Sequence, residues 1–164
     1  MTTDIEHGEP IGVGDPTAPS SAVKVEEGFD DIPMEDCLRL LREGAVGLLA
    51  LSGGKAPDLR PVNFALYRRQ IVMRTGHGRI FEGARAEEPA AFVISESDRL
   101  EHTGWSVVVT GRLSICDPTD AAIRTRVRPW ARADKGEWVV LSIDQVTGRR
   151  ISSFAGGAGD GGAG

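Results

Sequence analysis

Gly104-Trp105-Ser106-Val107-Val108-Val109-Thr110-Gly111-Arg112-Leu113-Ser114-Ile115-Cys116 is the stretch on which the reading of the fold turns. Trp105, Val107, Val109, Leu113 and Ile115 fall on one face together with Gly111; Ser106, Val108, Thr110 and Arg112 fall on the other. A period of two is the signature of a strand. Its 13 residues exceed the usual strand of about five or six, which suits a barrel strand that bends, with Gly111 as the bend.

Upstream, Pro89–Glu96 alternates in the same way, with Ala90, Phe92 and Ile94 against Ala91 and Val93. Ala45–Leu51, Leu59–Tyr67 and Ile71–Thr75 are three further strands on short links, an antiparallel meander. Pro61 has no N–H to donate, so the second of these strands has an edge or bulge there. Met34, Cys37, Leu38 and Leu41 recur at helical spacing behind Pro33, and Gly44 ends that helix. A short helix is expected over 79–86. Asp117-Pro118 caps another that runs to about Val127. Glu137–Val146 is the last strand, and Gly148-Arg149-Arg150-Ile151 closes the fold. The expected class is mainly β (α+β): six antiparallel strands closed into a small barrel, since closure removes exposed edges, with short flanking helices.

Charge divides the chain. Residues 1–32 hold eight acids and one base, so of the net −5 they carry −7, and the remainder sums to +2. That acidic, proline-bearing segment reads as a disordered tail. Residues 33–154 read as the one folded domain, and the Gly-rich 155–164 as a second tail. Sixteen of the eighteen bases in residues 33–164 are Arg, which grips phosphate bidentately. This suits a small phosphorylated ligand and falls short of a nucleic-acid-binding surface. No apolar run approaches bilayer length, so no membrane partner is expected and a cytoplasmic setting is. Cys37 and Cys116 have no paired or metal-ligand spacing and read as free side chains. His7, His77 and His102 are equally scattered, so no metal site is expected.

The chemistry-bearing segments are Arg60-Pro61-Val62-Asn63-Phe64 and, one hairpin later, Arg74-Thr75-Gly76-His77-Gly78-Arg79. Gly76 and Gly78 let backbone N–H groups approach an anion, Thr75 adds a hydroxyl, and Arg60, Arg74 and Arg79 add charge-assisted bonds. His77 reads as a solvent-facing turn residue, Trp130 and Trp138 as core, and Arg149-Arg150 as a surface pair. No Ser-His-Asp or Cys-His arrangement is placed for nucleophilic catalysis, and no catalytic residue is assigned.

In order and spacing, these segments resemble the pyridoxamine 5'-phosphate oxidase-like, FMN-binding split β-barrel proteins, in the branch of small actinobacterial members related to nitroimidazole reductases. The segments are 44–51 (Gly-Ala-Val-Gly-Leu-Leu-Ala-Leu), Arg60–Leu66, the Arg74–Gly78 turn and Gly104–Arg112. The likeness spans about Pro33 to Ile151. It implies a homodimer with two FMN sites at the subunit interface. The Arg60–Phe64 strand would lie along the isoalloxazine, Thr75, Gly76, Gly78 and Arg79 would take the phosphate, and Trp105 and Ser106 would approach from the second subunit. The activity implied is hydride transfer from reduced flavin to a small acceptor, with a nicotinamide as one possible electron donor. A deazaflavin or haem in place of FMN, and a non-catalytic flavin-binding dimer, are the alternatives. One departure stands out: relatives often carry a small hydroxyl residue and a Lys after the glycine turn, where this chain has Arg79 and Ile80. Arg79 would then supply the charge one position early.

Overall fold

The computed structural model describes residues 29–53, 56–117, 121–127 and 136–151. In chain order these form β1 (Phe29–Asp31), α1 (Met34–Glu43), β2 (Val46–Leu51), β3 (Asp58–Tyr67), β4 (Gln70–Thr75), α2 (Arg79–Arg85), β5 (Pro89–Asp98), β6 (Thr103–Ile115), α3 (Ala121–Arg126), β7 (Glu137–Ser142) and β8 (Gln145–Ile151). The strands lie in the order β1-β8-β6-β5-β2-β3-β4-β7, all antiparallel, and β6 also pairs with β7. Strands β2 to β7 therefore close a six-stranded ring, the expected barrel.

The long strand makes the closure possible. Along one side, β6 pairs with β5 over most of its length. Along the other it serves two partners in turn: Gly104–Thr110 pair with β8, and Leu113–Ile115 pair with β7. The change of partner happens at Gly111. A Cβ there would collide with the carbonyl oxygen of Ser142, so only a glycine admits the crossing chain. The segment read as one strand over 137–146 is accordingly two. Asp144 breaks it: its N–H donates to the Thr110 carbonyl (3.0 Å), and its carboxylate accepts from the Ser142 hydroxyl (2.8 Å). The inward phase shifts at the break, from Val139, Leu141 and Ile143 to Val146, and strand-forming residues on both sides of it hide the shift.

Inward-facing residues fill the barrel. Leu49, Ile71, Phe92, Val107, Leu113 and Leu141 are among those fully buried, and Phe64 meets Phe92 edge-on at 4.8 Å. α1 covers one end with Cys37, Leu38 and Leu41. It ends at Gly44, whose N–H bonds the Leu40 carbonyl. The φ of Gly44 is −72°, so no left-handed cap is needed. The absence of a side chain there serves packing instead, because a Cβ would approach the Phe64 ring to 2.9 Å. α3 lies outside, where Ile123 packs on Val72 and Val140.

The sheet reaches further towards the N-terminus than expected. β1 lies inside the segment 1–32 that reads as a tail. It pairs with β8, and Ile32 behind it is buried, its N–H bonding the Gly148 carbonyl at 2.9 Å. The three β1 side chains are exposed, so the strand has no buried face to set an apolar period. Residues 1–28, Trp130 and the Gly-rich tail lie outside the described residues.

Candidate functional site

The β3–β4 ladder runs from the hairpin turn to Phe64↔Met73 and stops there. Beyond that point β3 stays with β2, while Arg74 and Thr75 of β4 go on to pair with Trp138 and Glu137 of β7. The two segments singled out in the sequence, 60–63 and 74–75, thus flank a gap in the sheet. Pro61, lacking an N–H, sits on its β3 side, as strand chemistry requires.

The period of two then sorts the candidate side chains. Val62 and Phe64 point into the core and are 7% and 2% exposed, so they offer a ligand backbone only. Pro61 and Asn63 point outward. Arg74 does too, with its guanidinium over the Trp138 ring at 5.1 Å. Its Nε is buried without a hydrogen-bond partner. Thr75 donates its hydroxyl to the Gly76 carbonyl at 3.2 Å and keeps its lone pairs as acceptors. Gly78 has φ 175°, an extended backbone open to any residue, and a Cβ there would meet nothing within 4 Å. The fold itself therefore does not demand a glycine at 78. A ligand pressed close to the backbone would.

The other two arginines are already engaged. Arg60 makes a bidentate pair with Asp58 (2.7 and 2.9 Å), two residues away on the same face of β3. Arg79 reaches Glu88 at 2.5 Å and lies between Gly53 and Gly83. Both arginines keep their protons more firmly than usual, first through the hydrogen bond to the carboxylate. Arg60 also holds the Asp58 carboxyl below its usual range, with a smaller contribution from Arg79. Ile80, the residue expected to replace a Lys, is partly buried against the core. Exposed His77 sits 3.3 Å from Glu137 and edge-on to Phe81.

Trp105 and Ser106, as neighbours on a strand, face opposite sides. Trp105 packs against the core rim beside Glu96 and Arg150 in the cross-strand register. It lines a cavity of about 710 Å³ with Thr103, Arg99 and Ile151, and smaller ones of about 380 and 290 Å³. Ser106 points outward between Ser95 and Arg149. Strand patterning alone does not single out Arg149 and Arg150 as flanking this position, because 148–151 reads only as the segment that closes the fold, with the two arginines as a surface pair. Nor does it single out Asp58 and Glu88, although Asp58-x-Arg60 on a strand is a legible same-face pair. Among the described residues, no group of His, Cys, Asp and Glu could hold a metal ion, and both cysteines are free.

Known proteins share this fold. A family model described as pyridoxamine 5'-phosphate oxidase matches residues 33–150. The chain belongs to the pyridoxamine 5'-phosphate oxidase family. Among its relatives, an uncharacterized protein of Mycobacterium tuberculosis is 30% identical over 141 residues, covering 82% of this chain and 90% of the relative. The solved FAD binding protein of Mycobacterium smegmatis is 27% identical, with a TM-score of 0.61 over 74% of this chain and 99% of that one. A 5-nitroimidazole antibiotic resistance protein of Bacteroides thetaiotaomicron, 12% identical with a TM-score of 0.58 over 76% and 90%, shares the fold. The family's split barrel is the ring closed by β6.

Proposed function

We propose that the protein binds a flavin nucleotide, FMN or FAD, between two copies of the chain and serves as a flavin-dependent reductase of small acceptors. The observation that carries this reading is the gap in the β3–β4 ladder with Arg74, Gly78 and Thr75 at its edge. Support from a relative comes from the FAD binding protein at 27% identity. A bound flavin, reduced by two electrons from a nicotinamide donor, would supply a hydride to the acceptor. The chain's part would be to bind and orient it: backbone groups at the open edge of β3 would hold the polar rim of the ring, and Arg74 would favour its anionic reduced form. Among the described residues, no side chain at the gap is assigned a role as acid or base.

The need for a second copy follows from distance and shape. Asn63 pairs with Val46, Ser95 pairs with Ser106, and β2 lies beside β5. Asn63 and Ser106 are therefore three strand spacings apart, roughly 14 Å, on the convex outside of the barrel. A convex face does not enclose a flat ring. The surface between them is apolar and open, with Val46 38%, Leu48 42% and Leu59 60% exposed. A twofold partner seated there would cover these side chains and set its own Ser106 opposite Asn63 and Arg74.

The test uses the purified full-length chain, titrated with FMN and FAD and followed by its visible spectrum. A yellow complex, bleached by NADPH or dithionite and reoxidised by a nitro compound or quinone, supports the reading. Binding without turnover would make the protein a flavin carrier. Uptake of deazaflavin or haem with no flavin uptake would overturn the reading.

A further inference from the structure

We infer that Asp58 and Glu88 withhold Arg60 and Arg79 from an anionic ligand, so that the site ranks flavins by their ring system and hardly by their phosphate. This rests on the flavin reading above. The four side chains carry two positive and two negative charges, paired one to one at 2.7 and 2.5 Å. Each carboxylate is itself largely covered, with 33% of the Asp58 side chain and 26% of the Glu88 side chain exposed.

The Arg79–Glu88 pair has a slot made for it. A Cβ at Gly53 would collide with the guanidinium and lie 3.0 Å from the Glu88 carboxylate. One at Gly83 would lie 3.1 Å from the guanidinium and 3.4 Å from that carboxylate. Two bare positions thus leave room for the ion pair and hold it in place. A phosphate that claimed Arg79 would have to displace a carboxylate already in charge-assisted contact, or lie beside it as a like charge. Arg60 presents the same obstacle through its bidentate bond to Asp58. Arg74 differs from both, since its guanidinium faces an indole ring and not an acid. The position after Arg79, Ile80, is packed on the core and adds no charge. Asp58 and Glu88 are therefore specificity-determining residues, although neither needs to touch the flavin.

The experiment compares FMN with riboflavin, which lacks the phosphate, by fluorescence quenching on the full-length chain, with Glu88→Gln and Asp58→Asn as variants. The wild type is expected to bind the two flavins within about threefold of each other. Each variant is expected to tighten FMN by about tenfold while riboflavin stays within about twofold. Wild-type preference for FMN of about 100-fold, erased by Arg79→Ala, would overturn the inference. So would an unchanged FMN-to-riboflavin ratio in a variant whose melting curve shows it folded. If Glu88→Gln does not fold, Asp58→Asn decides. A second readout is independent of flavin: inorganic pyrophosphate should raise the melting temperature of the variants and not of the wild type. Should the wild type bind neither flavin, the functional reading fails, and this second readout still decides the inference, failing it if no variant gains.

Discussion

Two glycines show how differently one residue type is used. At Gly111 an added methyl group would strike a backbone carbonyl, which has no side chain to move aside. Gly111→Ala should cost about 2–3 kcal/mol or more in a denaturant melt. At Gly78 the added methyl group would meet open space, so Gly78→Ala should change stability by less than about 0.5 kcal/mol yet weaken flavin binding. If Gly78→Ala bound flavin as the wild type does, the glycine turn would be no part of the site. Asp58 gives the pH dependence. Its carboxyl is held below its ordinary value, so its stabilising contribution is full above the unfolded value of about 4 and fades as pH falls through the folded value. The stability difference between wild type and Asp58→Asn should therefore be present at neutral pH and disappear in acid. These residues also mark what is legible in the sequence. The type and place of Arg60, Arg74 and Arg79 can be read directly. Whether each is free cannot, because Glu88 reaches Arg79 across a helix end that no spacing rule encodes.

At the scale of elements, hydrophobic period is a sound guide wherever a strand has one buried face. That holds for β2, β5 and above all β6, whereas β4 and β7 are covered on both faces, with Ile71 to Met73 and Val139 to Leu141 buried in succession. It fails where a strand has no buried face, as in β1, whose three side chains are exposed. It fails again at Asp144, where the inward phase shifts with the change of sheet partner inside one run of strand-forming residues. The N-terminal extension is checked by Ile32→Ala. With Ile32 8% exposed, the loss should be about 2–4 kcal/mol, as for a core residue, whereas a tail residue would give none. The β3–β4 hairpin offers a gain instead. Arg68 and Arg69 both have positive φ (46° and 60°), the backbone that Asn-Gly adopts readily. Replacing the pair with Asn-Gly should raise stability by about 1 kcal/mol or more, read as a higher melting temperature. The cation–π contact of Arg68 with Tyr67, at 5.0 Å, offsets part of that gain.

For the whole molecule, the barrel explains its own core but leaves an apolar outer face open between the gap at β3 and the strand bearing Ser106. That face is the proposed seat of a second copy, with the flavin lying where the two copies meet. Leu48→Glu should then yield a folded monomer with flavin binding lost alongside the dimer. The most direct test is sedimentation velocity of the full-length protein with flavin, recorded at the visible absorbance of the flavin. A single coloured boundary at the dimer's mass, carrying one flavin per chain, is the expected result. Flavin that stays behind unbound, or that travels with a monomer, would contradict a site shared between two copies.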